Sequence, residues 1–129
     1  MSENIFDLTG KVAVAVGGTS GIGKAIALGF ARAGATVVSS SRRQQMVDAT
    51  AAEIEALGSK TLRLTSDVQD RSSLQNLCDQ TVAQFGKIDI LLVTAGTLKK
   101  EPSVDVAEDE WMRIIDINLS GSFRANQIF

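Results

Sequence analysis

The sequence predicts an α/β fold built from parallel strands that alternate with helices. Short apolar runs rich in valine and isoleucine alternate with longer segments whose apolar residues recur every three or four positions. Glycine follows three of the longer segments, as it commonly does where a helix ends. The 129 residues, 44% hydrophobic and 22% charged, have the composition of a folded globular domain. A single domain spanning residues 1–129 is therefore expected.

The first two strand–helix pairs follow from valine-rich runs and the amphipathic segments after them. Residues 11–17 are mostly apolar and end in glycine, which is typical of a strand buried on both faces. In the next segment Ile22, Ile26 and Phe30 recur every four residues and share one face of a helix. The elements predicted in this half are a strand at 11–17, a helix at 21–33, a strand at 36–41 and a helix at 44–57.

Two more strands and two more helices are predicted in the second half of the chain. The first of these helices has a clear apolar face, and either Asp70 or Ser72 can serve as its N-cap. Its apolar face consists of Leu74, Leu77, Cys78, Val82 and Phe85. The predicted elements are a strand at 61–65, a helix at 70–85, a strand at 88–94 and a helix that starts near Val106, breaks near Ser120 and Gly121, and runs to Phe129.

Repeated strand–helix–strand units imply parallel strands, because each helix must cross back over the sheet before the next strand begins. Such crossovers are almost always right-handed. The strands are therefore expected to form part of a doubly wound parallel sheet in the order 3-2-1-4, with a switch point between the first and fourth strands. Ligands of such folds bind beyond the carboxyl ends of the strands at the switch point. The residues that follow each strand are thus the candidates for a binding site.

Charge, histidine and cysteine content narrow the range of partners. The net charge of −2 offers no basic surface to a phosphate backbone, so nucleic acid is not expected as a partner. The chain has no histidine, which removes most zinc sites and every Ser-His or Cys-His nucleophile, and no metal site is predicted. Cys78, the single cysteine, is interpreted as a small buried hydrophobic residue. Without a secretory leader or a membrane-length apolar run, a cytoplasmic protein with no membrane partner is expected.

A glycine-rich loop lies between the first strand and the first helix. One glycine permits a tight turn, and another allows backbone amides to approach a diphosphate. The start of the helix adds unpaired N–H groups and a partial positive charge for the same anion. The strand before the loop and the amphipathic helix after it favour dinucleotide binding over a merely structural turn, which is the alternative interpretation. The candidate cofactor-binding residues of the loop are Gly17, Thr19, Ser20, Gly21, Ile22 and Gly23.

The second strand ends in Ser41, Arg42 and Arg43, at a position where dinucleotide-binding folds that use NAD carry an acidic residue. That acidic residue holds the 2′-hydroxyl of a ribose. Here an arginine fork suits a 2′-phosphate, and the position has no carboxylate to repel it. The three residues are therefore candidate cofactor-binding residues that favour NADP over NAD. A solvated arginine pair at the start of a helix is the alternative.

Two further clusters follow the predicted third and fourth strands. Asp67 and Val68 end the third strand, and the carboxylate can accept a hydrogen bond from an adenine amino group. Thr94, Ala95 and Gly96 end the fourth strand, where the small residues leave room for a ribose against the backbone. All five are candidate cofactor-binding residues. Asp67 is equally open to interpretation as a helix cap.

Asn118 is the most informative single residue in the sequence. Trp111, Ile114 and Ile115 mark the inward stripe of the last helix, and the spacing places Asn118 on the same stripe. A buried amide is unfavourable unless its donors and acceptors are paired. Because Gly121 follows closely, a bent helix with an inward amide is expected. A structural buried asparagine is the alternative.

The order and approximate spacing of these clusters resemble the short-chain dehydrogenase/reductase family over essentially the whole chain. Gly17, Gly21 and Gly23 match the glycines of the family motif TGxxxGxG, but Val16 replaces its threonine. The family motif NNAG reads VTAG here. We hypothesise that Thr94 restores, from the opposite side, the hydrogen bond that is lost with the threonine hydroxyl.

The resemblance implies a Rossmann-type fold and hydride transfer between NADP(H) and a small alcohol or carbonyl substrate. The chain looks most like members that act on sugar acids, polyols or 3-oxoacyl thioesters. Asn118 matches the family's active-site asparagine, whose backbone carbonyl positions a water in a proton relay. The serine, tyrosine and lysine of that relay are expected after Phe129, since the chain has no tyrosine. The resemblance therefore implies a chain incomplete at its C-terminus, from a homo-oligomer (a dimer or tetramer).

Two other classes of function stay open at this point. The same glycine loop would serve a dinucleotide-binding module that does not turn its cofactor over, and the lack of tyrosine favours that interpretation if the chain is natural. A purely structural interaction domain is less favoured, because it would not need the loop glycines together with Asn118.

Overall fold

The sheet of the molecule consists of three parallel strands, β1 (Val12–Val16), β2 (Thr36–Ser40) and β3 (Ile90–Val93). The computed structural model describes residues 3–129, and β1 lies in the centre of the sheet in the order β2-β1-β3. Because β3 is the fourth of the strands predicted from the sequence, the order of the paired strands agrees with the predicted order. The parallel α/β fold is confirmed.

Helices connect the strands and cover both faces of the sheet. They are α1 (Gly21–Arg32), α2 (Gln44–Ala56), α3 (Arg71–Phe85), α4 (Glu108–Ile115) and α5 (Gly121–Ile128). A short 3₁₀ turn spans Ser103–Asp105, and a π turn at Asp116–Ser120 joins α4 to α5. Within residues 3–129, no helix has the length and apolar character that crossing a membrane requires.

The prediction of a strand at residues 61–65 is wrong. The segment runs beside β2 but does not form a continuous backbone ladder with it. Backbone hydrogen bonds form at its two ends, where the amides of Val37 and Ser66 are the donors. Between them, the side-chain hydroxyl of Ser40 donates to the carbonyl of Leu64, with 2.6 Å between the oxygens. A side chain thus takes a carbonyl that a backbone ladder would need, which sequence alternation does not reveal.

Alternate residues of β1 point to opposite faces of the sheet, and all five are buried. Val14 and Val16 pack into a cluster with residues of α3 and α5. Ala13 and Ala15 pack into a second cluster with residues of α1 and α2. The expectation that this strand is buried on both faces is confirmed.

The buried face of α1 differs from the predicted one. Gly23, Ala27 and Ala31 face the sheet, whereas Ile22 is 77% exposed. The helix lies against β1 and β2 through small side chains, so the larger residues of the predicted apolar stripe are displaced toward its flanks. Periodicity alone favours the larger hydrophobic residues, and here close packing selects the smaller ones.

The next two helices agree more closely with the sequence. The α2 helix buries four residues, and two of them, Thr50 and Ile54, lie four positions apart on one face. In α3, Leu74 and Leu77 are buried as predicted, but Val82 is 42% exposed. Cys78 is half-buried rather than buried.

The start of α3 decides between the two predicted caps. Asp70 is the N-cap, and its carboxylate accepts the backbone N–H of Ser72 at 3.0 Å. The side-chain hydroxyl of Ser72 donates to the same carboxylate and, with that N–H, holds the pKa of Asp70 below its usual range.

The break predicted near Ser120 and Gly121 is a π turn instead, and the helix continues through it. Gly121 is buried just after the turn, and an added Cβ there would lie 2.8 Å from the Cβ of Val68. The glycine therefore permits contact between α5 and the chain that precedes α3.

Two helical glycines should respond in opposite ways to an added methyl group. We expect Gly121→Ala to lower the free energy of unfolding by about 1–3 kcal/mol, because the new Cβ overlaps Val68. Gly29→Ala, the matched control in α1, has open space at its Cβ and should raise it by about 0.5–1 kcal/mol. Urea unfolding of both variants measures the difference, and a change of the same sign in both would contradict the packing argument.

Candidate functional site

A cleft of about 220 Å³ opens at the carboxyl ends of the strands. It lies at the switch point, where the chain leaves β1 for one face of the sheet and leaves β3 for the other. Its lining residues are Val16, Gly17, Thr19, Ser20, Ser41, Arg42, Arg43, Met46, Ser66, Asp67, Val68, Thr94, Ala95, Gly96, Thr97 and Ile117. Sequence clusters far apart in the chain are therefore brought to one place.

The loop from β1 to α1 packs directly on the chain that leaves β3. A Cβ at Gly17 would lie 2.3 Å from the backbone nitrogen of Ala95, and Gly17 has a φ of +85°. A Cβ at Gly23 would lie 2.2 Å from Oγ1 of Thr94. Gly21 differs from both because the space around it is open, so its φ of +54° alone favours glycine. Two of the three motif glycines thus serve close approach, and the third serves backbone conformation.

The N-terminus of α1 is free to receive an anion. Among the described residues, no side chain caps the helix at Ser20, and the first turn contains no acidic residue. The first amides of a helix have no partner within it and carry a partial positive charge. Gly21, Ile22 and Gly23 belong to this turn and flank the cleft instead of lining it.

Thr94 forms the hydrogen bond expected of it. Its hydroxyl lies 3.0 Å from the carbonyl oxygen of Gly17 and donates to it, with a longer contact of 3.5 Å to the carbonyl oxygen of Val16. The side chain that ties the glycine loop to β3 therefore comes from β3, since Val16 has no hydroxyl to offer from β1.

The end of β2 forms the wall that contains the arginine pair. Ser41 accepts a hydrogen bond from the hydroxyl of Thr19 at 2.7 Å, which links this wall to the glycine loop. Arg42 and Arg43 are exposed, and within residues 3–129 neither guanidinium forms an ion pair. Met46 from the first turn of α2 completes the wall. Two positive charges without a carboxylate partner therefore border the cleft.

Asp67 and Val68 form the opposite wall. The carboxylate of Asp67 accepts the backbone N–H of Gln69 at 2.9 Å, and the hydroxyl of Ser73 holds the Asp67 backbone. Because Asp70 caps α3, the alternative interpretation of Asp67 as the helix cap is wrong. Asp67 is the single acidic residue among the lining residues.

Asn118 lies in the π turn and is exposed, so the prediction of a buried amide is wrong. Its side chain pairs with the backbone of Thr97: Oδ1 accepts the Thr97 N–H at 2.7 Å, and Nδ2 donates to the Thr97 carbonyl at 2.8 Å. Trp111 of the predicted inward stripe is 58% exposed, whereas Ile117 is 7% exposed. The π turn contains one residue more than an α-helical turn, and this rotates the buried face of the helix. A prediction that assumes a regular helical period therefore places the wrong residues inward.

Sequence reasoning missed five lining residues, Val16, Met46, Ser66, Thr97 and Ile117. Ser66 immediately precedes the predicted Asp67, and Thr97 immediately follows the predicted Gly96. Extending each cluster by one residue would have found both, whereas Met46 and Ile117 face the cleft because of helix packing.

The sheet, its crossover helices and the glycine loop define a Rossmann-type α/β domain. A family model described as short chain dehydrogenase matches residues 11–129. The chain therefore belongs to the short chain dehydrogenase family.

Related proteins match the chain over nearly all its length. It is 35% identical over 127 residues to 2-dehydro-3-deoxy-D-gluconate 5-dehydrogenase of Escherichia coli K12, covering 98% of this chain and 49% of the relative. It is 36% identical over 118 residues to D-threitol dehydrogenase of Mycolicibacterium smegmatis, covering 92% and 45%. A crystal structure of a short-chain type dehydrogenase/reductase from Mycobacterium marinum has a TM-score of 0.92 at 35% identity, covering 96% and 50%. The chain spans about half the length of these relatives.

The hydroxyl of Thr94 provides a direct test of the glycine loop. We expect Thr94→Val, which keeps the side-chain shape, to loosen the loop and weaken dinucleotide affinity roughly threefold to tenfold, because the Gly17 carbonyl loses its donor. Titration calorimetry with NADPH measures the affinity, and amide exchange over residues 17–23 reports the loosening. Thr61→Val, outside the cleft, is the control; equal affinity in the two variants would contradict the role of Thr94.

Proposed function

We propose that this chain binds NADP in the cleft and that the full natural protein is an oxidoreductase, transferring hydride between NADP(H) and an alcohol or carbonyl group. The single observation on which the proposal depends is the glycine loop, which packs at backbone distance on the exit of β3. Beside it the uncapped start of α1 is left open. That arrangement leaves backbone amides, rather than side chains, to meet a diphosphate.

The residues around the cleft fit the parts of a dinucleotide. Amides at the start of α1, from Ser20 to Gly23, would hold the diphosphate. The backbone at Ala95 and Gly96 would lie against a ribose. Their small size supports this, since a Cβ at Gly96 would lie 3.3 Å from Oδ1 of Asn118 and narrow the cleft.

The adenosine end would lie between the walls formed by Arg42 and Asp67. Ser41, Arg42 and Arg43 would bind the 2′-phosphate of NADP, because planar guanidinium groups match phosphate oxygens and no carboxylate neutralises them. Asp67 and Val68 would receive the adenine, with the free carboxylate oxygen facing its amino group. NAD fits less well, because the end of β2 offers a ribose 2′-hydroxyl no acidic acceptor.

Asn118 is proposed as the catalytic residue of this half. Its backbone carbonyl lies in the π turn, where the hydroxyl of Ser122 approaches it to 3.2 Å, and its side chain is held by Thr97. Bound NADP would supply the hydride donor or acceptor. Asn118 would position a water for proton transfer, and we expect the serine, tyrosine and lysine of that relay beyond Phe129 in the full natural protein.

The relatives guide the choice of substrate and setting. A sugar-acid dehydrogenase and a polyol dehydrogenase are among the proteins that this chain resembles. We therefore propose a small sugar acid, polyol or 3-oxoacyl compound as the substrate of a cytoplasmic homo-oligomer. The competing proposal is a module that binds the dinucleotide without turnover, since the same glycine loop and open helix start would serve it equally well.

A two-stage measurement on the full natural protein distinguishes these proposals. Titration calorimetry should show NADPH binding, and its absence would refute both. Oxidation of NADPH, followed at 340 nm with a panel of keto sugar acids, ketoses and 3-oxoacyl thioesters, should then proceed. Binding without any turnover across the panel would favour the non-catalytic module.

Cofactor preference should depend on Arg42. We expect Arg42→Asp to lower the ratio of NADP to NAD affinity by roughly tenfold to a hundredfold, because it removes a charge-assisted contact to the 2′-phosphate and adds repulsion. Arg32→Asp, at the other end of α1, makes the same charge change away from the cleft and should leave the ratio unchanged. If the ratio is the same in both variants as in the wild type, the assignment of the phosphate site is wrong.

A further inference from the structure

A cluster of polar side chains joins one wall of the cleft to the π turn. Arg124 of α5 donates through Nη1 to the carbonyl oxygen of Val68 at 2.9 Å, and through Nη2 to Oδ1 of Asp116 at 2.5 Å. The side-chain amide of Gln69 donates to Oδ2 of Asp116 at 3.0 Å. Both carboxylate oxygens are thus occupied, and the Arg124 guanidinium links the segment at Val68 to the first residue of the π turn.

The cluster is partly shielded from water, and its hydrogen bonds favour the charged form of Asp116. The side chains of Arg124 and Asp116 are 22% and 34% exposed. The Arg124 guanidinium, and after it the Gln69 amide, hold the pKa of the Asp116 carboxyl below its usual range. A short, charge-assisted pair of this kind fixes direction as well as distance.

The π turn is held at two points beside the cleft. Asp116, its first residue, is tied to Val68 through Arg124, and Gly121 lies against the Val68 side chain just after the turn. Asn118, in its middle, pairs with Thr97 on the β3 side. The segment is therefore anchored both to the wall formed by Asp67 and Val68 and to the chain that follows β3.

We propose that Arg124 is a positioning residue that couples the cleft wall formed by Asp67 and Val68 to Asn118. The inference rests on the proposed function for the identity of the ligand, and it assigns a role to residues outside the cleft itself. When the adenosine half binds against Val68, it shifts the Val68 carbonyl. Arg124 moves with that carbonyl, because it donates a hydrogen bond to it, and displaces Asp116 through its second hydrogen bond. The π turn, and with it Asn118 and Thr97, moves accordingly.

The geometry requires arginine at this position. Two different nitrogens of one planar group reach two acceptors on different segments, which a lysine ammonium cannot reproduce. The chain also offers a matched comparison. Arg113 donates two hydrogen bonds to Glu110, at 2.7 and 3.1 Å, within α4, and neither residue lines the cleft.

The test uses adenosine 2′,5′-bisphosphate, which represents the adenosine half of NADP alone, and the full natural protein. We expect titration of the wild type with the bisphosphate to shift the NMR signals of the Asn118 side-chain amide and the Thr97 backbone amide. In Arg124→Gln these shifts should fall to less than half, and affinity should weaken roughly threefold to tenfold. Arg113→Gln should match the wild type in both respects.

Loss of a merely structural ion pair would lower the unfolding temperature but leave the ligand-induced shifts of Asn118 and Thr97 intact in the folded protein. That result in Arg124→Gln would overturn the inference while leaving the proposed function standing. Failure of the wild type to bind the bisphosphate would overturn the proposed function and this inference together. Should Arg124→Gln not fold, Arg124→Lys and Asp116→Asn give the same readout, with reduced shifts in support and wild-type shifts against.

Discussion

The cleft depends on one close contact, between the backbone after β1 and the backbone after β3. Neither Gly17 nor Gly23 has room for a Cβ, because Ala95 and Thr94 occupy that space. The Thr94 hydroxyl secures the contact through the Gly17 carbonyl. Any larger residue at either glycine would separate the two strand exits, and the start of α1 would move with the loop. Binding geometry at the switch point is therefore set by the absence of side chains at two positions.

Three consecutive serines at the end of β2 complete this arrangement. Ser39 donates to the carbonyl of Gly18, Ser40 to the carbonyl of Leu64, and Ser41 accepts from Thr19. Ser40 also pairs with the hydroxyl of Ser66 at 2.8 Å. Buried hydroxyls are tolerated because each has a partner. One strand end thus holds the glycine loop on one side and the segment leading to Asp67 on the other.

Local chemistry made much of the fold predictable, and packing explains most of the rest. The valine-rich strands, the glycine loop and a helix cap at Asp70 or Ser72 follow from short-range preferences that the sequence displays. The buried face of α1 could not be predicted from these preferences. The helix packs so close to the sheet that Ala27 and Ala31 face it instead of larger apolar residues. The exposure of Asn118 results from the π turn, and no residue pattern in the sequence signals an extra residue in a helical turn. Of the candidate site, the sequence identified the strand-end clusters, whereas contributions from helix flanks such as Met46 depend on tertiary structure.

The π turn also sets the phase between the two helices that it joins. An ordinary α-helix rotates by 100° and rises by about 1.5 Å per residue. If residues 116–120 formed regular α-helix instead of a π turn, α5 would therefore present different side chains to α3. Gly121 and Ala125 are both buried in the present arrangement, and a Cβ at Gly121 would overlap the side chain of Val68. Shortening residues 116–120 by one would rotate α5 by about a quarter turn. The irregular turn therefore works as a spacer that aligns the last helix with the body of the domain.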